Sequence, residues 1–267
     1  MDRKTTNAYY TFMCMTDIWL VMPCFNERNR LSRESVDQFL AYAPDGHLCL
    51  VDDGSRDGTH ELLLDLQRRS PDTVTVLRHT SNKGKAEAVR TGILHGASKS
   101  DHAYVGYWDA DLATPFSQLP LFFAEMGKTP CGEIFMGCRH QRLGTAIERK
   151  WTRHYSGRVF ATAASQVLGL PVYDTQCGAK LLLRETAVPL FQEPFLTTWV
   201  FDVELLARFL AAKGRQKALD AIREIPLERW TDIAGSKVSL KAYFTGARDL
   251  INIAREYGFR PDPRHTH

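Results

Sequence analysis

The chain has 267 residues, 44% of them hydrophobic, enough to bury a core in one large domain or two small ones. Its formal net charge is +3, with acids and bases mixed along the chain, too small a basic excess to indicate a nucleic-acid partner. The six cysteines, at positions 14, 24, 49, 131, 138 and 177, contain no C-x-x-C and read as free thiols in a reducing compartment, not as a disulfide frame or zinc site. Residues 1–15 (MDRKTTNAYYTFMCM) lack a signal-peptide pattern and are expected to form a loose extension, with Met15 as an alternative start. Ile18 to Met22 is an apolar run ending at Pro23, a buried strand. Leu31 to Tyr42 has helical spacing, and His47 to Val51 is a second strand running into Asp52-Asp53-Gly54. Asp57-Gly58-Thr59 opens a helix carrying Leu62, Leu63 and Leu66; Asp57 reads there as an N-cap. Val74 to Leu77 is a third strand, Gly84 to Ala97 a helix, and Ala103 to Trp108 a fourth strand.

Short continuous apolar runs alternating with amphipathic helices predict an α/β domain, its parallel sheet covered on both faces. The second half is less regular. Phe135 to Arg139 reads as a strand and Val172 to Gly178 as a loop, with helices over Trp151 to Leu168, Phe201 to Ala212 and Val238 to Tyr257. Ile222 to Trp230 reads as one further strand, and PDPRHTH as a frayed tail. The run Ile18 to Phe25 falls far short of the roughly 20 residues needed to span a bilayer. The resulting division is an extension over 1–15, one domain over 16–258 and a tail over 259–267, with a nucleotide half over 16–112 and an acceptor half over 113–258.

Ligands of open α/β sheets bind beyond the carboxyl ends of the strands. Polar clusters follow all four strands of the first half: Pro23/Asn26/Glu27, Asp52/Asp53, Asn82/Lys83/Lys85 and Asp109/Asp111. Together they build one site. Asp52 or Asp53, before a sharp turn at Gly54-Ser55, can accept hydrogen bonds from a base N–H or ribose hydroxyls. Lys83 or Lys85 places positive charge near a helix N-terminus, where phosphate is favoured. No P-loop and no G-x-G-x-x-G is present. In "YWDADLATP" two carboxylates stand one residue apart after an apolar strand. Bare, they would repel and one would keep its proton. A hard cation, Mg²⁺ or Mn²⁺, held by them against a diphosphate removes the conflict. An Asp-rich turn with a cap at Thr114 is the plainer alternative.

The motifs "VMPCFNE", "VDDGSRDGT", "NKGKAEAVRTG" and "DADLATP" together resemble the family 2 glycosyltransferases of GT-A fold. "DTQCGAKLL", "FDVELL" and "WTDIAGSK" are most similar to the polyprenyl-phosphate branch, and within it to dolichyl-phosphate β-glucosyltransferases more than to mannosyl enzymes. The resemblance runs from about Trp19 to about Tyr257. It implies a mostly parallel GT-A sheet and an inverting transfer of glucose from UDP-glucose to a polyprenyl phosphate. Pro23, Asn26, Glu27 and Asp52 would line the nucleoside pocket, with Asp53 beside it and Lys83 and Lys85 near the nucleotide. Asp109 and Asp111 would be the D-x-D, with Asp111 the more direct metal ligand. Arg139 would meet the acceptor phosphate, with Arg149, Arg153 and Ser156 sharing the task. Asp174 and Gln176 would border the sugar, and Ser236 and Lys237 would belong to a loop over the diphosphate.

The chain departs from the pattern in two ways. Ala113 stands where some mannosyl relatives place a third metal ligand, and no N-terminal membrane anchor is read. The expected location is cytoplasmic and peripheral on the membrane face, through the amphipathic helices 151–168 and 238–257; the competing reading packs both helices on the core. The alternatives are GDP-mannose as donor, a soluble phosphorylated or hydroxyl acceptor, and a non-catalytic nucleotide-binding protein. A phosphate acceptor needs no strong base, because its second pKa is about 6. A hydroxyl acceptor would need one, for which Asp202 and Glu204 are the candidates.

Overall fold

A computed structural model of the protein describes residues 16–148, 151–232 and 240–258, apart from the side chains of 148, 151–156 and 240–244. The first half alternates strand and helix. It comprises β1 (Ile18–Cys24), α1 (Arg33–Tyr42), β2 (His47–Asp52), α2 (Thr59–Arg69), β3 (Val74–Arg78), α3 (Lys85–Lys99) and β4 (Tyr104–Trp108). Then follow α4 (Leu119–Lys128), β5 (Ile134–Cys138), β6 (Ala146–Glu148), α5 (Trp151–Leu168), β7 (Ala179–Leu183) and α6 (Arg184–Phe191). The chain continues through α7 (Phe201–Lys213), α8 (Arg215–Ala221), β8 (Ile222–Pro226), β9 (Arg229–Thr231) and α9 (Leu240–Glu256).

Seven strands form one sheet in the order β3-β2-β1-β4-β7-β5-β8, and β6 pairs with β9 apart from it. The sheet is mostly parallel, as expected, except that β7 runs antiparallel to both β4 and β5. The β1 run shows why the strands are apolar throughout. Ile18, Leu20 and Met22 enter one core and Trp19 and Val21 the other, because successive side chains point to opposite faces and helices cover both. Five elements have no counterpart in the sequence reading: α4, β6, β7, α6 and α8. The single strand expected over Ile222 to Trp230 is two, β8 and β9, paired in different sheets.

The reversed strand places the site. β7 pairs Ala179 with Trp108, so the beginning of β7 lies beside the end of β4. The 172–178 loop that leads into β7 therefore arrives at the same sheet edge as the ends of β1, β2, β4 and β5. Asp109 N–H donates to Gly178 O at 2.9 Å across this seam. Two further contacts fix the loop: Glu224 on β8 accepts the Tyr173 and Asp174 N–H groups at 2.8 and 2.7 Å.

Candidate active site

Two adjoining cavities open at this edge, and Lys85, Asp109 and Asp111 line both. The first, about 320 Å³, is walled by Pro23, Glu27, Asp53, Asn82 and Gly84 as well. The second, about 240 Å³, is walled by Arg139, Arg158, Asp174, Gln176 and Asp202, with aromatic sides from Phe160, Tyr173, Trp199 and Trp230. The two cavities thus meet at two carboxylates and one lysine.

The carboxylates stand in a turn, not a strand. β4 ends at Trp108, so Asp109 and Asp111 lie beyond the strand and are not bound to its alternation of faces. The turn closes by Leu112 N–H to Asp109 O at 3.1 Å. Asp111 Oδ1 accepts Ala113 N–H at 3.0 Å, and Leu112 is held at φ 53°, a left-handed conformation that is uncommon for a non-glycine residue. Lys85, the first residue of α3, sets its Nζ 2.5 Å from Asp109 Oδ1. Burial would lower this ammonium's pKa, but the carboxylates of Asp109 and Asp202 outweigh it and raise it. Burial pushes the Asp111 carboxyl above its usual range, and the charge of Asp109 adds to the shift. Glu27 is raised in the same way, first by burial; Arg30 opposes, and Asp111 contributes in the same direction as burial.

The first cavity is therefore short of positive charge. Buried carboxyls that resist ionisation are the oxygen donors a hard divalent cation fits, and such an ion commonly takes one or two carboxylates and completes its shell with phosphate and water. Asp109 and Asp111 would hold it, with Glu27 close by. Among the described residues no three His, Cys, Asp or Glu side chains form a closed metal cage. Ala113 offers no side-chain oxygen, so a bound cation would complete its shell with ligands from outside these two carboxylates.

Several expected residues occupy different places from those anticipated. Asp52 lines neither cavity: it is fully buried, with Oδ1 on the Ser55 N–H at 2.9 Å and Oδ2 facing His60 and Arg78. Asp53, expected beside the pocket, lines it. Its oxygens accept the Lys83 and Gly84 N–H groups, both at 2.8 Å, and His79 at 2.7 Å, which pins the loop before α3. Gly54, at φ 74°, is what lets this turn press on that loop, since a Cβ there would sit 2.6 Å from the Ser81 backbone. The Lys83 side chain is exposed and lines neither cavity, so only Lys85 of the pair reaches the shared wall. Asn26 adopts φ 58° and spends Oδ1 on the Arg56 N–H at 3.0 Å, bridging two loops instead of facing the cavity.

On the acceptor side, Arg139 grips Asp174 through Nε and Nη2, both at 2.7 Å, and stacks over Trp230. One edge of its fork is thereby committed within the protein. Arg158 on α5 lies 3.7 Å from the Tyr173 ring centre and donates to Tyr173 O at 3.1 Å. Its position in the sequence did not mark it as a site residue. The aromatic walls come from four separate segments and left no local signal. Arg149, Ser236 and Lys237 lie outside the described residues, as do the side chains of Arg153 and Ser156. Of the two candidate bases, Asp202 lines the acceptor-side cavity. Glu204 does not: it is fully buried and receives the Leu196 N–H, Arg208 and the Tyr257 hydroxyl. The described cysteines, Cys24, Cys49, Cys131, Cys138 and Cys177, are all free thiols.

The mostly parallel sheet, its one reversed strand and the paired-carboxylate turn between two cavities are the arrangement of a GT-A fold. Solved structures agree on the fold. Glucosyl-3-phosphoglycerate synthase from Mycobacterium tuberculosis, solved with Mn²⁺, UDP and glucosyl-3-phosphoglycerate, superposes with a TM-score of 0.67 at 19% identity, covering 94% of this chain and 84% of that one. The same enzyme solved with Mg²⁺ and UDP gives a TM-score of 0.67 at 20% identity, covering 96% of this chain and 84% of that one.

The description "Glycosyl transferase family 2" matches residues 19–188, and the chain belongs to that family. Among curated relatives, dolichyl-phosphate beta-glucosyltransferase ALG5A of Trichomonas vaginalis is 32% identical, over 88% of this chain and 72% of that protein. The dolichyl-phosphate beta-glucosyltransferase of Saccharomyces cerevisiae is 31% identical, over 89% and 74%. The human protein of that name is 30% identical, over 89% and 75%.

Proposed function

We propose that this glycosyltransferase moves glucose from UDP-glucose to a polyprenyl phosphate with inversion, using Mg²⁺ or Mn²⁺. The observation that carries this reading is the pair of cavities meeting at Lys85, Asp109 and Asp111, the second of them holding two arginines within aromatic walls. The names of the relatives support glucose and a dolichyl-type phosphate over mannose. An acceptor phosphate oxygen attacks the anomeric carbon, the bond from that carbon to the UDP oxygen breaks, and the electron pair leaves with UDP. Lys85 faces the charge that develops on the leaving diphosphate, and a bound cation would supply further positive charge there. Asp109 and Asp111 would hold that cation. Glu27, Pro23 and Asp53 shape the nucleoside side. Arg139 and Arg158 orient the acceptor phosphate, for which a guanidinium fork suits the oxygens. Such a phosphate is already largely ionised at neutral pH, so no base has to remove a proton.

The polyprenyl chain calls for a membrane nearby. Among the described residues no helix is long and apolar enough to cross one. The segments that carry the acceptor cavity also carry exposed apolar side chains: Leu143, four residues beyond Arg139, is fully exposed, Val159 is 72% exposed and Trp199, on the cavity wall, 40%. α5 packs on α9, where Gly246 lets α9 approach Phe160 and Trp199. We read this as a peripheral face for the cytoplasmic side of a membrane.

The test offers the purified chain Mn²⁺, UDP-glucose, UDP-GlcNAc, UDP-galactose or GDP-mannose, with short polyprenyl phosphate or a soluble phosphorylated acceptor. UDP release and glycosylated product are followed together. Glucolipid from UDP-glucose is the expected result. Product only on the soluble acceptor overturns the lipid assignment, and product only from GDP-mannose overturns the sugar.

A further inference from the structure

The mechanism above makes no use of Lys180, yet this ammonium is fully buried. Burying a charge is costly unless it is paired and hydrogen-bonded. An ammonium has three donors, and all three are placed. Lys180 Nζ donates to Thr175 O at 3.0 Å, to Cys177 O at 2.7 Å and to Asp202 Oδ1. Tyr107, the register partner of Lys180 across β4 and β7, donates its hydroxyl to the same Asp202 oxygen at 2.5 Å. Asp202 Oδ1 is thus doubly engaged. Asp202 is 2% exposed and lines the acceptor-side cavity, and its Oδ2 makes no hydrogen bond among the described residues. The two carbonyls held by Lys180 flank Gln176, which lines the same cavity and whose buried Nε2 has no hydrogen-bond partner among the described residues. One ammonium therefore fixes an acceptor oxygen and an amide donor, both unpartnered, on one cavity wall.

We propose that Lys180 is a positioning residue for sugar recognition: it aims Asp202 Oδ2 and the Gln176 amide at hydroxyls of the donor sugar. This rests on the reading of a sugar nucleotide as substrate. A hexose offers several hydroxyls that donate and accept at once, so a carboxylate oxygen and an amide N–H held apart by a fixed loop match it chemically. Tyr107 is the second support of the same carboxylate.

The experiment uses the full chain with Mn²⁺ and compares Lys180→Met and Tyr107→Phe with wild type. Titration calorimetry gives Kd for UDP and for UDP-glucose, and transfer to polyprenyl phosphate gives KM and kcat. For Lys180→Met the UDP Kd should stay within about threefold of wild type, while the UDP-glucose Kd and donor KM rise about tenfold, as for loss of hydrogen bonds to a charged group. Tyr107→Phe keeps the lysine and should shift the same quantities in the same direction by less, so it decides the matter if Lys180→Met does not fold. Equal weakening of UDP and UDP-glucose, or no change in UDP-glucose, overturns the inference. A wild-type chain that binds UDP but takes no UDP-glucose refutes the donor reading instead, and is told apart because it needs no variant.

Discussion

Replacing Gly178 by alanine should cripple catalysis without unfolding the chain. Gly178 lies on the seam between β4 and the loop into β7, and a Cβ on it would sit 1.8 Å from Asp109 Oδ2 and 2.1 Å from Asp109 Cγ. Its φ is not in the left-handed region, so sterics alone decide the outcome. The glycine cannot withdraw, because its carbonyl accepts the Asp109 N–H at 2.9 Å. An ordinary contact begins near 3.4 Å, so the carboxylate would have to retreat by about 1.6 Å. That breaks its 2.5 Å ion pair with Lys85 and turns it away from the shared wall of the two cavities. A misplacement of about 1 Å at a reacting centre costs on the order of 100-fold in rate. The expected result is a fall of about 100-fold or more in kcat/KM, with overpacking costing stability only about 1–3 kcal/mol. Transfer kinetics, Mn²⁺ titration of UDP binding and a thermal melt measure the three parts. Activity within about threefold of wild type, with half-saturating Mn²⁺ unchanged, would refute the view that Asp109's position is set by this seam.

Four further outcomes are expected. Asp111→Ala should abolish turnover and Mn²⁺-dependent UDP binding while the metal-free chain melts no lower than wild type, because a buried carboxyl whose ionised form is disfavoured has been removed; normal turnover by a folded variant would sink the metal assignment. Glu204→Ala should cost about 3–5 kcal/mol in a denaturant melt, since Arg208 and the Leu196 N–H lose their buried acceptor. Arg158→Ala should raise KM for the acceptor phosphate more than for the donor, and a change confined to the donor would move Arg158 out of the acceptor site. His47, half-buried and stacked at 4.3 Å on Trp19, has its pKa lowered from 6.5 to about 4, mainly by burial and then by His102. Below its unfolded pKa the unfolded chain takes up the proton first, so this contribution to stability is present above pH 6.5 and lost as pH falls toward about 4. Urea melts at stepped pH should show a smaller acid loss in His47→Gln, and identical slopes would refute the assignment.

The nucleotide half was legible because its physics is local. Each strand there is an apolar run that must be buried on both faces, and each ends in a polar cluster within a few residues, so Glu27, Lys85 and Asp109 could be assigned to one edge before any coordinates. The finer placement was not legible where a carboxylate had a choice of partner. Asp52 and Asp53 are adjacent and chemically identical, and only the fold reveals that Asp53 faces the Lys83–Gly84 loop while Asp52 turns to Ser55, His60 and Arg78. The acceptor half was less readable because its walls are non-local. Phe160, Tyr173, Trp199 and Trp230 have no common spacing, and β7, "AKLLL", is a five-residue run that contains a lysine. A lysine inside a short apolar run argues against a buried strand unless its three partners are known.

That lysine goes together with the reversal of its strand. In an all-parallel sheet the segment entering a strand reaches the edge opposite the ligand side, so loops at the site come only from strand ends. Running β7 antiparallel delivers an entering loop to the ligand side, directly against Asp109. It brings Asp174 to Arg139, Gln176 to the cavity wall and Gly178 to the paired carboxylates within five residues. The loop then needs an anchor from within the sheet, and Lys180, two residues into β7, supplies one through Thr175, Cys177 and Asp202. The two halves of the sheet are therefore joined by one reversed strand and its buried ammonium. On this basis, damage to Lys180 should be felt in sugar and acceptor handling before it is felt in nucleotide binding.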